Sequence, residues 1–120
     1  MLFRSLAATG YDVTVIAPRP DGTVDPEAVL AAVRDDTFMV SMMAVNNETG
    51  AVQDVETVAE HLPSDVWFHV DAAQAFGKLN GALRHQRIDL MSASAHKLFA
   101  PKGVGALISR RRDQIGRAHV

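Results

Sequence analysis

Between Asp12 and Ser109 the chain alternates two kinds of stretch. Short runs rich in β-branched and apolar residues suit strands, and stretches whose apolar positions recur three and four apart suit helices with one buried stripe. Residues 12–16 (Asp-Val-Thr-Val-Ile) predict a strand, and Pro20-Asp21-Gly22 predicts the turn after it. Asp25 predicts a helix N-cap, with Pro26 in the first helical position and Glu27 near the positive end of the dipole. Ala28, Val29, Ala32 and Val33 supply that helix's apolar face. Residues 37–43 are nearly continuously apolar, the pattern of a strand buried on both faces. Asp54 predicts the cap of a second helix reaching about Leu62, with Val55, Val58, Ala59 and Leu62 turned inward. Residues 66–70 predict a strand that stops at Asp71, followed by a short helix over 72–76 broken at Gly77. Two more strands are predicted at 89–92 and 104–109, the last entered through the turn at 101–105.

Strand, helix, strand, helix, strand is the order of an α/β protein with a mainly parallel sheet and crossover helices. Ligands in such sheets bind beyond the carboxyl ends of the strands. Asn46 to Glu48, Asp71 to Gln74 and Ser94 to Lys97 each fall just past an expected strand end. The three polar clusters are therefore expected to converge on one edge of the sheet.

Composition narrows the picture without adding chemistry. A length of 120 residues suits one small domain, and 48% hydrophobic with 22% charged residues suits a soluble, cytoplasmic protein. A net charge of −2 gives no basic footprint for nucleic acid. No apolar run approaches the roughly 20 residues a membrane helix needs, so no membrane partner is expected. With no cysteine, these residues hold no disulfide, no thiolate metal site and no thiol nucleophile, and no metal is expected. Met1 to Ser5 and residues 115–120 resemble the two ends of a common sequencing adapter translated in frame. They are expected to be non-native ends flanking a domain fragment at 6–114, an internal slice of a longer protein.

Each candidate residue has a bland reading beside a chemical one. Lys97 could be a solvated lysine. Yet it lies among small and apolar residues, where desolvation would lower its pKa toward that of a Schiff-base lysine. Asp71 could cap the segment starting at Ala72, or pair as a buried carboxylate with a cation such as a protonated pyridine nitrogen. Gln74, three residues on, would share a helical face with Asp71, as a solvated glutamine or as an amide donor. Ser94 and His96 flank Ala95 and would point the same way in an extended segment, where hydroxyl and imidazole could both bind phosphate. Asn46 and Asn47 read either as turn residues or as amide donors at a strand end. Residues 110–112, three arginines, read as a solvated strand end.

Taken together, these stretches resemble the class V aminotransferase family, and within it the cysteine desulfurases. The resemblance runs through residues 45–50 (Val-Asn-Asn-Glu-Thr-Gly), 69–78, 89–97 (ending Ser-Ala-His-Lys) and 101–107, and covers nearly all of 6–112. It implies the large domain of fold-type I enzymes that use pyridoxal 5'-phosphate (PLP), usually homodimers. It further implies that Lys97 holds PLP as a Schiff base and serves as general acid and base. Asp71 would pair with the ring nitrogen, Gln74 would bond the phenolic oxygen, Ser94 and His96 would hold the phosphate, and Asn46 would orient the substrate carboxylate. The implied reaction converts L-cysteine to L-alanine and passes sulfur, as an enzyme persulfide, to acceptor proteins for iron–sulfur clusters or thio-nucleosides. The nucleophilic cysteine, an upstream histidine that stacks on the ring and an upstream phosphate-binding turn do not occur in these residues, so an incomplete, inactive fragment is expected. The missing part of the sheet should leave apolar strand edges exposed. Selenocysteine lyase, another class V enzyme such as an aminotransferase, and a non-catalytic α/β module are the alternatives.

Overall fold

A computed structural model describes residues 2–73, 80–94 and 105–110. The elements are α1 (Leu2–Ala8), α2 (Pro26–Ala31), β1 (Met39–Met43), α3 (Val55–His61), β2 (Trp67–Asp71), α4 (Asn80–Leu83), β3 (Leu90–Ser94) and β4 (Gly105–Ser109). Among the described residues the strands form one sheet in the order β1-β2-β3-β4. β1, β2 and β3 run parallel, and β4 is antiparallel to β3. The mixed α/β architecture with a mainly parallel sheet is the one expected.

The helices form where the caps predict. Asp25 accepts from the Glu27 N–H at 3.0 Å, and Pro26 occupies the first turn of α2. Asp54 takes both the N–H and the hydroxyl of Thr57, at 3.1 and 2.6 Å, and so caps α3. A helix of seven residues is marginal by itself, so packing must hold α3 in place. Val55, Val58, Ala59 and Leu62 are all buried, against a cluster that includes Phe68 and Val70 of β2, Met91 of β3 and Ile88. Each such aliphatic or aromatic side chain contributes on the order of 2 kcal/mol when fully buried. α3 packs against α2 on one side and α4 on the other, and Val29 and Leu83 from those helices join the same core.

Three sequence expectations need correction. Residues 12–16 join no ladder among the described residues, and Val15 is 81% exposed. Their β-branched composition suits a pleated surface, but a strand also needs a neighbour's N–H and C=O groups, and the described sheet begins at β1. The segment is tied down instead by an Arg34–Asp12 ion pair at 2.6 Å and by Tyr11 against Phe38, 5.6 Å between ring centroids. The run at 37–43 is not buried on both faces. β1 ends the described sheet, and its residues are half-buried or exposed. The expected helix at 72–76 does not start at Ala72 or Ala73, where the chain turns; its remaining residues lie outside the described ones. α1 and α4 had no counterpart in the sequence pattern.

The expected exposure of apolar edges is visible at β4, where Leu107 is 66% exposed, and at Met43 of β1 and Phe38 just before it.

Candidate active site

Parallel strands bring their carboxyl ends to one edge, and the register sets how the residues there line up. Met43, Asp71 and Ser92 form one row across β1, β2 and β3. Side chains alternate along a strand, so Asp71 shares a face with His69 and Trp67, opposite the core residues Phe68 and Val70. Ser94, two residues past Ser92, lies on that same face. The helices cover the other side, and the polar side chains of the edge are left half-buried.

Asp71 is held on both flanks. Its carbonyl accepts from the Ala44 N–H at 2.9 Å, and the next amide, that of Ala72, donates to Ser92 O at 2.8 Å. Its Oδ1 accepts from the Ala73 N–H at 3.0 Å, a turn bond at the end of β2; the helix it was expected to cap falls on residues outside the described ones. That bond orients the carboxylate.

Asn46 sits at the root of a tight hairpin. Val45 bridges Val52, the Asn46 N–H donates to Ala51 O at 2.9 Å, and Gly50 closes the turn with a φ of 73°. Asn46 Oδ1 accepts from the N–H groups of Glu48 and Thr49 at 2.8 and 3.1 Å. The turn reading therefore holds, and it decides the chemistry of the residue. With the amide oxygen engaged twice, the NH2 is the end left to donate outward.

Ser94 closes β3, half-buried, opposite Gly105 at the start of β4. The chain thus leaves the sheet at Ser94 and rejoins it at Gly105 on this edge. Residues 95–104, with His96 and Lys97, lie outside the described residues, as does Gln74. Of the predicted site residues, Asp71 and Ser94 end β2 and β3, and Asn46 follows the end of β1 by three residues.

Sequence reasoning gave no role to several residues that shape this edge or the opposite one. His69 is half-buried, its Nδ1 2.7 Å from Ser41 Oγ on β1. Burial pushes its imidazole below the ordinary pKa, and the nearby Asp71 carboxylate works weakly in the other direction. The period-2 rule, which puts positions 69 and 71 on one face, was the signal available for it. Gln53 is buried at the base of the Asn46 hairpin. At the far end of the sheet, Asp89 is 4% exposed and accepts from the Phe68 N–H at 2.8 Å and from Arg87 at 2.6 Å. Arg110 is more than the solvated strand end expected: its guanidinium donates to the carbonyls of Leu83, Arg84 and His85.

Comparison with known proteins gives a consistent result. Residues 2–118 match the family model described as aminotransferase class-V. The cysteine desulfurase IscS of Edwardsiella ictaluri is 47% identical over 113 residues, which cover 93% of this chain and 28% of that protein. The crystal structure of DndA from Streptomyces lividans is similar with a TM-score of 0.85 and 46% identity, covering 94% of this chain and 32% of that one. The structure of SspA in complex with cysteine is similar with a TM-score of 0.83 and 39% identity, covering 90% of this chain and 31% of that one. The chain spans less than a third of the length of the curated relative it matches.

Proposed function

Because the chain belongs to the class-V aminotransferase family, we propose that it forms the cofactor- and substrate-binding part of a PLP-dependent cysteine desulfurase, which converts L-cysteine to L-alanine and retains the sulfur. The observation that carries this reading is the parallel register that sets the carboxyl ends of β1, β2 and β3 side by side, with Asp71 and Ser94 at the ends of β2 and β3 and Asn46 three residues past β1. A desulfurase relative of 47% identity and a similar structure holding cysteine support the choice of reaction.

The donor set suits PLP. A protonated pyridine nitrogen calls for a fixed carboxylate, a phosphate for hydroxyl and imidazole donors, and a substrate carboxylate for an amide NH2. When bound, PLP supplies an electron sink for the substrate's α-carbon. Asp71 would keep the ring nitrogen protonated through Oδ2, its other oxygen being fixed by Ala73. Ser94 and His96 would hold the phosphate, and Gln74 would donate to the phenolic oxygen. Lys97 would hold the cofactor and move protons at its Nζ. The Asn46 amide would orient the substrate carboxylate. No cysteine occurs among these 120 residues, so the sulfur-accepting thiolate is proposed to come from outside them. The full-length enzyme is proposed to act as a homodimer that passes sulfur to acceptor proteins.

The test is borohydride reduction of the PLP-loaded full-length protein followed by peptide mapping. A phosphopyridoxyl group on Lys97, with turnover abolished in Lys97→Ala, is the expected result. A label on another lysine, or near-normal turnover by Lys97→Ala, overturns the assignment. Bound cofactor without release of alanine from L-cysteine overturns the reaction.

A further inference from the structure

Gln53 follows the hairpin that carries Asn46 and is only 6% exposed. Its Oε1 accepts from the Val24 N–H at 2.7 Å, and its Nε2 donates to Gly22 O at 2.9 Å. Its own N–H donates to Ala44 O at 2.8 Å, just past the end of β1. A single side chain therefore joins the hairpin to a turn about thirty residues earlier in the sequence. A second contact joins the same two segments. A Cβ on Gly22 would lie 3.1 Å from both Thr49 Oγ1 and Ala51 Cβ, so the turn backbone rests against the hairpin.

The turn is built to bear that contact. The Arg19 N–H donates to Thr23 O at 2.7 Å, and the Gly22 N–H donates to Arg19 O at 2.9 Å. The amide and hydroxyl of Thr23 both donate to Asp21 Oδ1, at 2.9 and 2.6 Å. Gly22 holds a φ of 86°, which side-chain-bearing residues rarely adopt. A neutral amide of this length can accept from one backbone N–H and donate to one backbone carbonyl at once. An ionised glutamate would lose the donor, and leucine would lose both bonds.

We propose that Gln53 is a positioning residue for substrate binding: it locks the 45–52 hairpin onto the 19–23 turn and so sets where Asn46 presents its NH2. The inference rests on the reading of Asn46 as the group that orients the substrate carboxylate. Gln53 acts on the substrate through Asn46, since its side chain bonds Val24 and Gly22 and neither Asp71 nor Ser94.

The experiment uses the PLP-loaded full-length enzyme and the variants Asn46→Ala, Gln53→Leu, Gln53→Glu and Gly22→Ala. Arg87→Met, which loosens the opposite end of the sheet, is the control for lost stability. KM and kcat for L-cysteine, the cofactor absorbance and amide hydrogen exchange at Glu48 and Thr49 are read together. Asn46→Ala should raise KM about tenfold, the scale of one lost hydrogen bond to a charged group. Gln53→Leu should raise KM about fivefold with kcat and absorbance held, which is the signature of lost substrate binding alone. Exchange at Glu48 and Thr49 should quicken in that variant, and Gln53→Glu should fall between it and the parent. Arg87→Met should lower the melting temperature and leave KM unchanged. If Asn46→Ala raises KM while Gln53→Leu and Gly22→Ala move neither KM nor exchange, the role of Gln53 is overturned and that of Asn46 stands. If Asn46→Ala leaves KM unchanged, both fall. Should Gln53→Leu fail to fold, Gly22→Ala, which strains the same contact from the other side, decides by the same two readouts.

Discussion

The two ends of this sheet place polar side chains in different ways. At the end where β2 and β3 begin, Arg87 and Asp89 form an ion pair and fasten it to backbone: Asp89 to the Phe68 N–H, Arg87 to the carbonyls of Pro63 and Val66. Arg110 adds bonds to the carbonyls at the end of α4. At the end where the parallel strands stop, Asp71 and Asn46 each commit one oxygen to local backbone and leave the rest of the side chain for something else. Charge at the first end joins strand to strand, whereas polarity at the second is pre-oriented. A half-satisfied polar group costs least where solvent or a ligand can reach it, which suits the half-buried second end; at the first, Arg87 Nε is buried without a hydrogen-bond partner among the described residues while the rest of its guanidinium is bonded.

The sharpest way to break that comparison is Asp89→Ala. It strands the Arg87 charge in a closed setting and should destabilise the protein by about 3 kcal/mol, the usual scale for breaking a buried pair from one side. Denaturant unfolding checks this, and a loss no larger than that of an exposed ion pair would show that the pair is not what holds the strands' entry.

Asp71→Asn should do the reverse. Asparagine keeps an oxygen for the Ala73 N–H, so the unfolding midpoint should barely move. Turnover of L-cysteine should fall about a hundredfold, the scale of losing one oriented electrostatic partner. Full activity would leave the turn bond to Ala73 as the residue's whole role.

The smallest effect is expected from His69. Its pKa is lowered in the fold by burial, so the unfolded chain takes up the proton first as the pH falls. Its contribution to stability is therefore present above an unfolded pKa of about 6.5 and is lost as the pH drops from there toward the folded value. Unfolding midpoints measured from about pH 8 to about pH 5 should decline less steeply in His69→Asn than in the parent. Equal slopes would mean that the ring is more solvated than its place beside Ser41 implies.

Much of the architecture was legible because local rules carried it. Asp25 and Asp54 cap the helices they announce, and the apolar stripe of α3 faces the core at every position expected. Asn46, Asp71 and Ser94 were legible as strand-end residues because a parallel sheet sends all such ends to one edge. Gln53 and the Arg87–Asp89 pair were not. Their partners are backbone groups of Gly22, Val24, Pro63, Val66 and Phe68, which carry no mark in the sequence of being hydrogen-bonded to a side chain. The run at 12–16 misled for a related reason: its composition is that of a strand, but pairing depends on a neighbour.

The amino-acid sequence by itself determined the kinds of element, their order and the chemical inventory at one edge, since propensity, capping and hydrophobic period act over a few residues. Tertiary structure alone decided which strands pair, which face of the sheet is closed by helices, and which polar atoms are held and which left to donate. Those outcomes depend on groups brought together from twenty or more residues apart, and a buried hydrogen bond is worth forming only after packing has excluded water.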